Sequence, residues 1–164
     1  MRPWQTLKRI GPKSAFTLLR LAVRYPHFLC PTFIATKQCM RVATLHYGRE
    51  HYQNTPANAF RHAFWNYAIA LRCRAWSNND HSPLAWAKAI TDWHEDAFAN
   101  RPLARAMDLH NNAVGRQLFM VQEGRSWEET IALLREMTHR SVQISHTAEL
   151  EKHPNRLVHL CANS

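Results

Sequence analysis

The chain has 164 residues, 46% hydrophobic and 20% charged, which excludes intrinsic disorder and leaves room for one domain with a real core. Lys and Arg outnumber Asp and Glu by 21 to 12, a formal charge of +9. That excess favours an anionic partner: an anionic small molecule, a phospholipid surface or nucleic acid. Four cysteines, Cys30, Cys39, Cys73 and Cys161, stand apart with no C-x-x-C pair, so a zinc ribbon is excluded and reduced thiols are expected.

Residues 1–13 read as a basic N-terminal arm carrying Arg2, Lys8, Arg9 and Lys13, ahead of a single domain over 14–164. Residues 14–24 predict a short helix stopped at Tyr25-Pro26. Its apolar run is broken by Arg20 and no small-residue cleavage site follows, so neither a signal peptide nor a spanning helix is expected. The location expected is cytoplasmic, with peripheral contact at the inner membrane left open. Phe16, Leu18, Leu19, Leu21 and Val23 are interleaved with Arg20 and Arg24. Such a helix either packs on the body of the domain, the plainer reading, or lies on a membrane surface.

Pro31-Thr32 predicts the start of a second helix, ended by Gly48. Thr55 then reads as a cap, with Pro56 in the first turn of a helix running to about residue 74. One face of that helix carries Phe60, Phe64, Tyr67 and Leu71. The other carries Asn58, His62 and Asn66 among Trp65, Ile69 and Cys73. A helix apolar on both sides is buried on both sides, which makes the polar row interior or part of a cleft. Ser82-Pro83 opens the next helix, whose inward arc of Trp86, Ala87, Ile90, Trp93, Ala97 and Phe98 has His94 in its middle and Glu95 at its border.

Asn100 caps the following helix on this reading, with Arg101-Pro102 in its first turn. Leu103, Met107, Val114 and Leu118 share an arc there; Asn111 is at its centre, Gly115 beside it and Asp108 at its edge. Ser126 and Glu129 form a capping box for a further helix. The tail, residues 141–160, leans to β: 141–144 and 156–160 are short apolar stretches able to pair as a hairpin. The fold class expected is mainly α, a single-domain helical bundle with a small C-terminal β element.

Three successive helices thus turn polar groups toward protein, and such groups are costly unless paired. His62, His94 and Asp108 are the expected ligands of a divalent metal, zinc or similar. Glu95 is the expected catalytic base. Arg61 and Arg116 are expected to hold a phosphate, with Asn66 and Asn112 also on the substrate. Asn58, Trp65, His110 and Asn111 are assigned supporting or structural parts. His94-Glu95 does not begin a zincin helix, since Phe98 stands where the second histidine belongs, and no G-x-S-x-G, phosphate loop or dinucleotide fingerprint occurs. The function expected is metal-assisted hydrolysis of an anionic phosphoester. The alternative is a non-enzymatic helical module whose polar network is structural.

The blocks Arg61-His62-x-x-Trp65-Asn66, His94-Glu95 and Met107-Asp108-x-x-Asn111-Asn112-x-x-Gly115-Arg116 resemble an uncharacterised bacterial helical domain family. That resemblance covers residues 30–120, with a motif core over 55–120, and implies no activity. In ligand types alone the chain is loosely similar to the zinc-dependent phospholipase C and nuclease folds, without their H-x-x-x-E spacing.

Overall fold

Proline sets where most of the helices begin, because its fixed φ suits a first turn whose N–H groups have no helical partner. The computed structural model describes residues 11–98, 101–121 and 124–161. Within them run α1 (Pro12–Arg24), α2 (Pro26–Tyr47), α3 (Pro56–Arg74), α4 (His81–Ala97), α5 (Pro102–Val121) and α6 (Trp127–His139). Two short strands, β1 (Val142–Gln143) and β2 (Val158–His159), and the 3₁₀ turns Glu50–Tyr52 and Thr147–Lys152 complete the order. The chain is a mainly α single domain with a small sheet near its C-terminus, as expected.

Helix α3 is the axis. Phe60, Phe64 and Tyr67 are buried on one side, and Asn58, His62 and Asn66 on the other. Helices α2, α4, α5 and α6 all pack against it. Helix α2 approaches through a row of small buried residues at i+4 spacing, Pro31, Ala35, Cys39 and Ala43, and Cys39 Sγ donates to the Arg61 carbonyl at 3.4 Å. The closest approach is that of α5: a Cβ added at Gly115 would run into the Ala63 carbonyl oxygen. A second, smaller apolar cluster of Ala104, Met107, Ile144, Val158 and Leu160 lies under the tail.

Several boundaries differ from the sequence reading. Pro12 and Lys13 belong to α1 and not to an arm; residues 1–10, and the expected cap Asn100, lie outside the described residues. Helix α2 begins at Pro26 and carries Pro31 inside it. A proline there sacrifices one backbone bond near the helix start, and Pro31 is buried in the row facing α3. Thr55 holds the cap position of α3, yet its hydroxyl donates back to the Glu50 carbonyl at 2.9 Å. In α4 it is Asn79 Oδ1 that accepts from Ser82 N–H, at 2.9 Å. The capping box of α6 is present as expected, with Ser126 N–H donating to Glu129 at 2.8 Å and Glu129 N–H to Ser126 at 3.2 Å.

The tail pairs, but not as a hairpin. Strands β1 and β2 are parallel, with Val142 opposite Val158 and Gln143 opposite His159. A hairpin needs a tight turn to set its register, whereas parallel strands need a longer crossover, here containing the Thr147–Lys152 turn. Long-range anchors set this register instead. Asn111 donates to Val158 O at 2.9 Å and accepts from Val158 N–H at 3.0 Å, and Leu160 N–H reaches Asn54 O at 3.0 Å. Among the described residues no helix is long and apolar enough to cross a membrane.

Candidate metal centre

His62 on α3, Glu95 on α4 and Asp108 on α5 bring one nitrogen and two carboxylate oxygens within 4.8 Å of one another. All three are buried, at 2%, 7% and 3% exposure. His62 Nε2 lies 3.2 Å from Asp108 Oδ1, and Nδ1 lies 3.5 Å from Glu95 Oε1.

The hydrogen bonds fix the state of the imidazole. Arg61 approaches His62 Nε2 through Nη2 at 2.7 Å. A guanidinium has no acceptor, so Nε2 is the lone-pair nitrogen and Nδ1 carries the proton. That N–H donates to Asn112 Oδ1 at 3.1 Å. The same oxygen accepts from Asn66 Nδ2 at 2.7 Å, and Asn112 Nδ2 donates to Glu95 at 3.3 Å. Asn66 in turn accepts from Arg116 at 2.7 Å and from Thr91 at 3.2 Å. One atom is left out: the buried Asp108 Oδ1 has no hydrogen-bond partner.

Burial shapes the protonation of the group, because a charge in a low-dielectric interior is disfavoured. Burial, then the neighbouring Glu95 carboxyl, pushes Asp108 up to about 8 against the opposing pull of Arg61. Burial likewise pushes Glu95 up to about 7, opposed by Asn112, Arg61 and Arg105. Burial, then Arg61 and His94, holds His62 well below its ordinary value. The contact of His62 with Asp108 is therefore that of a neutral ring with a carboxyl group whose charged form burial disfavours. Carboxyls held up in this way release their protons when a divalent cation binds.

Beside the group opens a cavity of about 230 Å³ lined by Thr36, Cys39, Met40, Arg61, His62, Trp65 and His94. The adjacent pair on α4 divides its parts differently from the sequence reading. Glu95 stands among the three donors, and His94, expected as a ligand, is outside that group and faces the cavity. There the ring meets Trp65 edge-on at 5.1 Å and Phe98 at 4.9 Å, and burial followed by Arg61 holds it down to about 4. Trp65 is fixed by its own bond to Thr36, at 2.9 Å.

Of the two arginines expected on substrate, Arg61 lines the cavity, while Arg116 does not and is engaged by Asn66. Asn66 and Asn112 join the polar network directly. Asn58 is buried one turn before His62 with Oδ1 unpartnered. His110 and Asn111 belong elsewhere: His110 Nε2 donates to Arg156 O at 2.9 Å and Asn111 grips Val158, both fastening α5 to the tail. Thr91 escaped the sequence reading. It is fully buried and in line with Ala87 and Glu95 at i+4 spacing, a row that would have been visible with the inward arc of α4 centred there. His51 also escaped notice; it is buried, with Nε2 3.0 Å from Thr44 Oγ1.

The family model described as "Domain of unknown function (DUF6973)" matches residues 19–142. That is most of the chain and includes all three polar blocks, so this protein belongs to that family, in keeping with the uncharacterised family its motifs resemble. No curated protein and no solved structure matches the chain.

Proposed function

We propose that this member of the family is a metal-assisted hydrolase of a small anionic phosphoester, with His62, Glu95 and Asp108 as ligands. The observation that carries the reading is the buried Asp108 Oδ1, left without a hydrogen-bond partner inside a triangle of donors. Most buried side-chain oxygens of a structural network are paired. One nitrogen and two carboxylate oxygens suit zinc, manganese or iron, and three protein ligands leave a coordination position open. A divalent ion held there supplies Lewis acidity toward a phosphoryl oxygen and lowers the pKa of water. Asn112 orients both His62 and Glu95, which is how outer partners set ligand direction. Arg61 is the cation in the cavity lining, placed to take a phosphate oxygen once it leaves His62 Nε2. His94 contributes a neutral ring beside the aromatic wall of Trp65.

One observation favours the alternative of a non-enzymatic module. The guanidinium of Arg61 already sits on the His62 lone pair at 2.7 Å, so the chain supplies its own cation to the network. Metal loading separates the two. Protein incubated with zinc, manganese or iron and freed of excess ion should retain about one ion per chain and cleave a chromogenic phosphodiester. His62→Ala, Glu95→Gln and Asp108→Asn should lose the ion. His94→Ala should keep it, and Arg61→Ala should keep it while raising KM by roughly tenfold or more. A wild type that stays metal-free ends the proposal; one that holds metal without turnover ends its hydrolytic half.

A further inference from the structure

Helix α1 is assembled in an unusual way for a helix of a folded domain: it buries none of its residues fully. At 100° per residue its half-buried side chains, Ser14, Leu18, Leu21 and Ala22, form one arc, and this arc meets the body of the domain, with Trp93 Nε1 of α4 donating to the Ser14 carbonyl at 2.8 Å. The opposite arc is Phe16, Leu19 and Val23, exposed by 69%, 61% and 73%. Lys13, Arg20 and Arg24 form a third stripe alongside that apolar one, and all three are exposed. An apolar crest flanked by a basic stripe is the pattern of a helix lying in a bilayer interface.

The charge of the chain points the same way. Residues 1–49 contain nine Lys and Arg and no Asp or Glu; residues 50–164 contain twelve of each. The whole formal excess of +9 therefore belongs to the segment that includes α1 and α2. A second copy of the chain seated on the crest would bring this acid-free segment against itself, like charge on like. An anionic surface complements it, each basic residue adding to the attraction within a Debye length of the lipid headgroups.

We infer that α1 is a peripheral docking element for an anionic lipid bilayer, its Phe16–Leu19–Val23 crest entering the interface and Lys13, Arg20 and Arg24 meeting headgroup phosphates. This rests on the surface of α1 and not on the metal reading.

The test is co-sedimentation of the full chain with vesicles of phosphatidylcholine alone or mixed with phosphatidylglycerol. Wild type should pellet with the mixed vesicles, stay in solution with the neutral ones, and be released by high salt. The triple variant Phe16→Ser, Leu19→Ser, Val23→Ser should bind the mixed vesicles roughly tenfold or more weakly. Reversal of Lys13, Arg20 and Arg24 to Glu should weaken binding by about a hundredfold. Because none of these six side chains is buried, melting curves should match wild type, and a variant that melts lower is replaced by its Phe16→Ser single form. Wild type that ignores the mixed vesicles overturns the inference. So does a crest variant that binds as wild type, which would reduce the attraction to charge alone. A wild-type dimer that the crest variant converts to monomer also overturns it, by identifying a second copy as the occupant.

Discussion

Asn111 and Asn112 are chain neighbours on α5, both with no exposed surface, yet they sit in networks of opposite character. Asn111 is closed: it exchanges two hydrogen bonds with the backbone of Val158, as a strand neighbour would, and no oxygen or nitrogen there is left over. Asn112 is part of an open set. Its amide serves His62, Asn66 and Glu95, but the set as a whole has an orphaned carboxylate oxygen and two carboxyls displaced far from their ordinary range. The same residue type, at the same depth, is scaffold in one case and candidate site in the other. What tells them apart is whether the polar account closes, and burial alone does not reveal that.

The largest effect should come from a change that strikes both networks together. Gly115→Ala forces α5 away from Ala63 and should lower stability by roughly 3 kcal/mol or more, read from urea midpoints. An unchanged midpoint would show that the helices have slack. Next, Asn111→Leu strands both the N–H and the carbonyl of Val158 and should cost about 1–3 kcal/mol, with ion content untouched. Loss of the ion in this variant would join the two networks and break the contrast.

The last effect is the most diagnostic, because its sign changes with a bound ion. Asp108 has its pKa raised from 3.8 to about 8. In metal-free protein its contribution is thus fully present below its unfolded value and is lost as pH climbs through the folded one. Glu95, raised from 4.5 to about 7, behaves alike over a narrower window. His62, lowered from 6.5, acts oppositely, its contribution being lost as pH falls. With chelator present, the melting temperature should therefore decline from pH 6 to 8.5, and Asp108→Asn should flatten the decline. A saturating divalent ion should turn it into a rise, since the ion binds the deprotonated carboxyls. A wild-type profile unaffected by Asp108→Asn would count against the protonation described for the site.

Much of this was legible in the chain. Prolines at 26 and 56 and the Ser126–Glu129 box mark local events, and local chemistry is what a sequence displays directly. The doubly apolar α3 told that its Asn58–His62–Asn66 row was interior, and burial of all three agrees. The division between His94 and Glu95 was harder, because Trp93 and Phe98 draw the apparent apolar arc of α4 toward His94. That arc is real, with Trp86, Ala87 and Ile90 buried in the core, but His94 itself faces the cavity, while Thr91 and Glu95 face the network. The parallel sense of β1 and β2 was out of reach for a different reason. It is imposed by Asn111 and Asn54, residues 47 positions or more away along the chain, and no turn near the strands announces it.

The contact of Gly115 with Ala63 also governs how the site is able to move. Backbones that touch leave no gap for side chains to yield into, so α3 and α5 travel as one body, and His62, Asp108 and Asn112 travel with them. Glu95 rides on α4, whose buried residues include Ala87 and Thr91 and whose sequence has no glycine. Any breathing of the donor triangle is then a sliding of α4, the shear displacement of one packed helix along its neighbours. Helix α4 is also the seat of α1, through Trp93 and Ser14, so Glu95 shares its support with the outer helix.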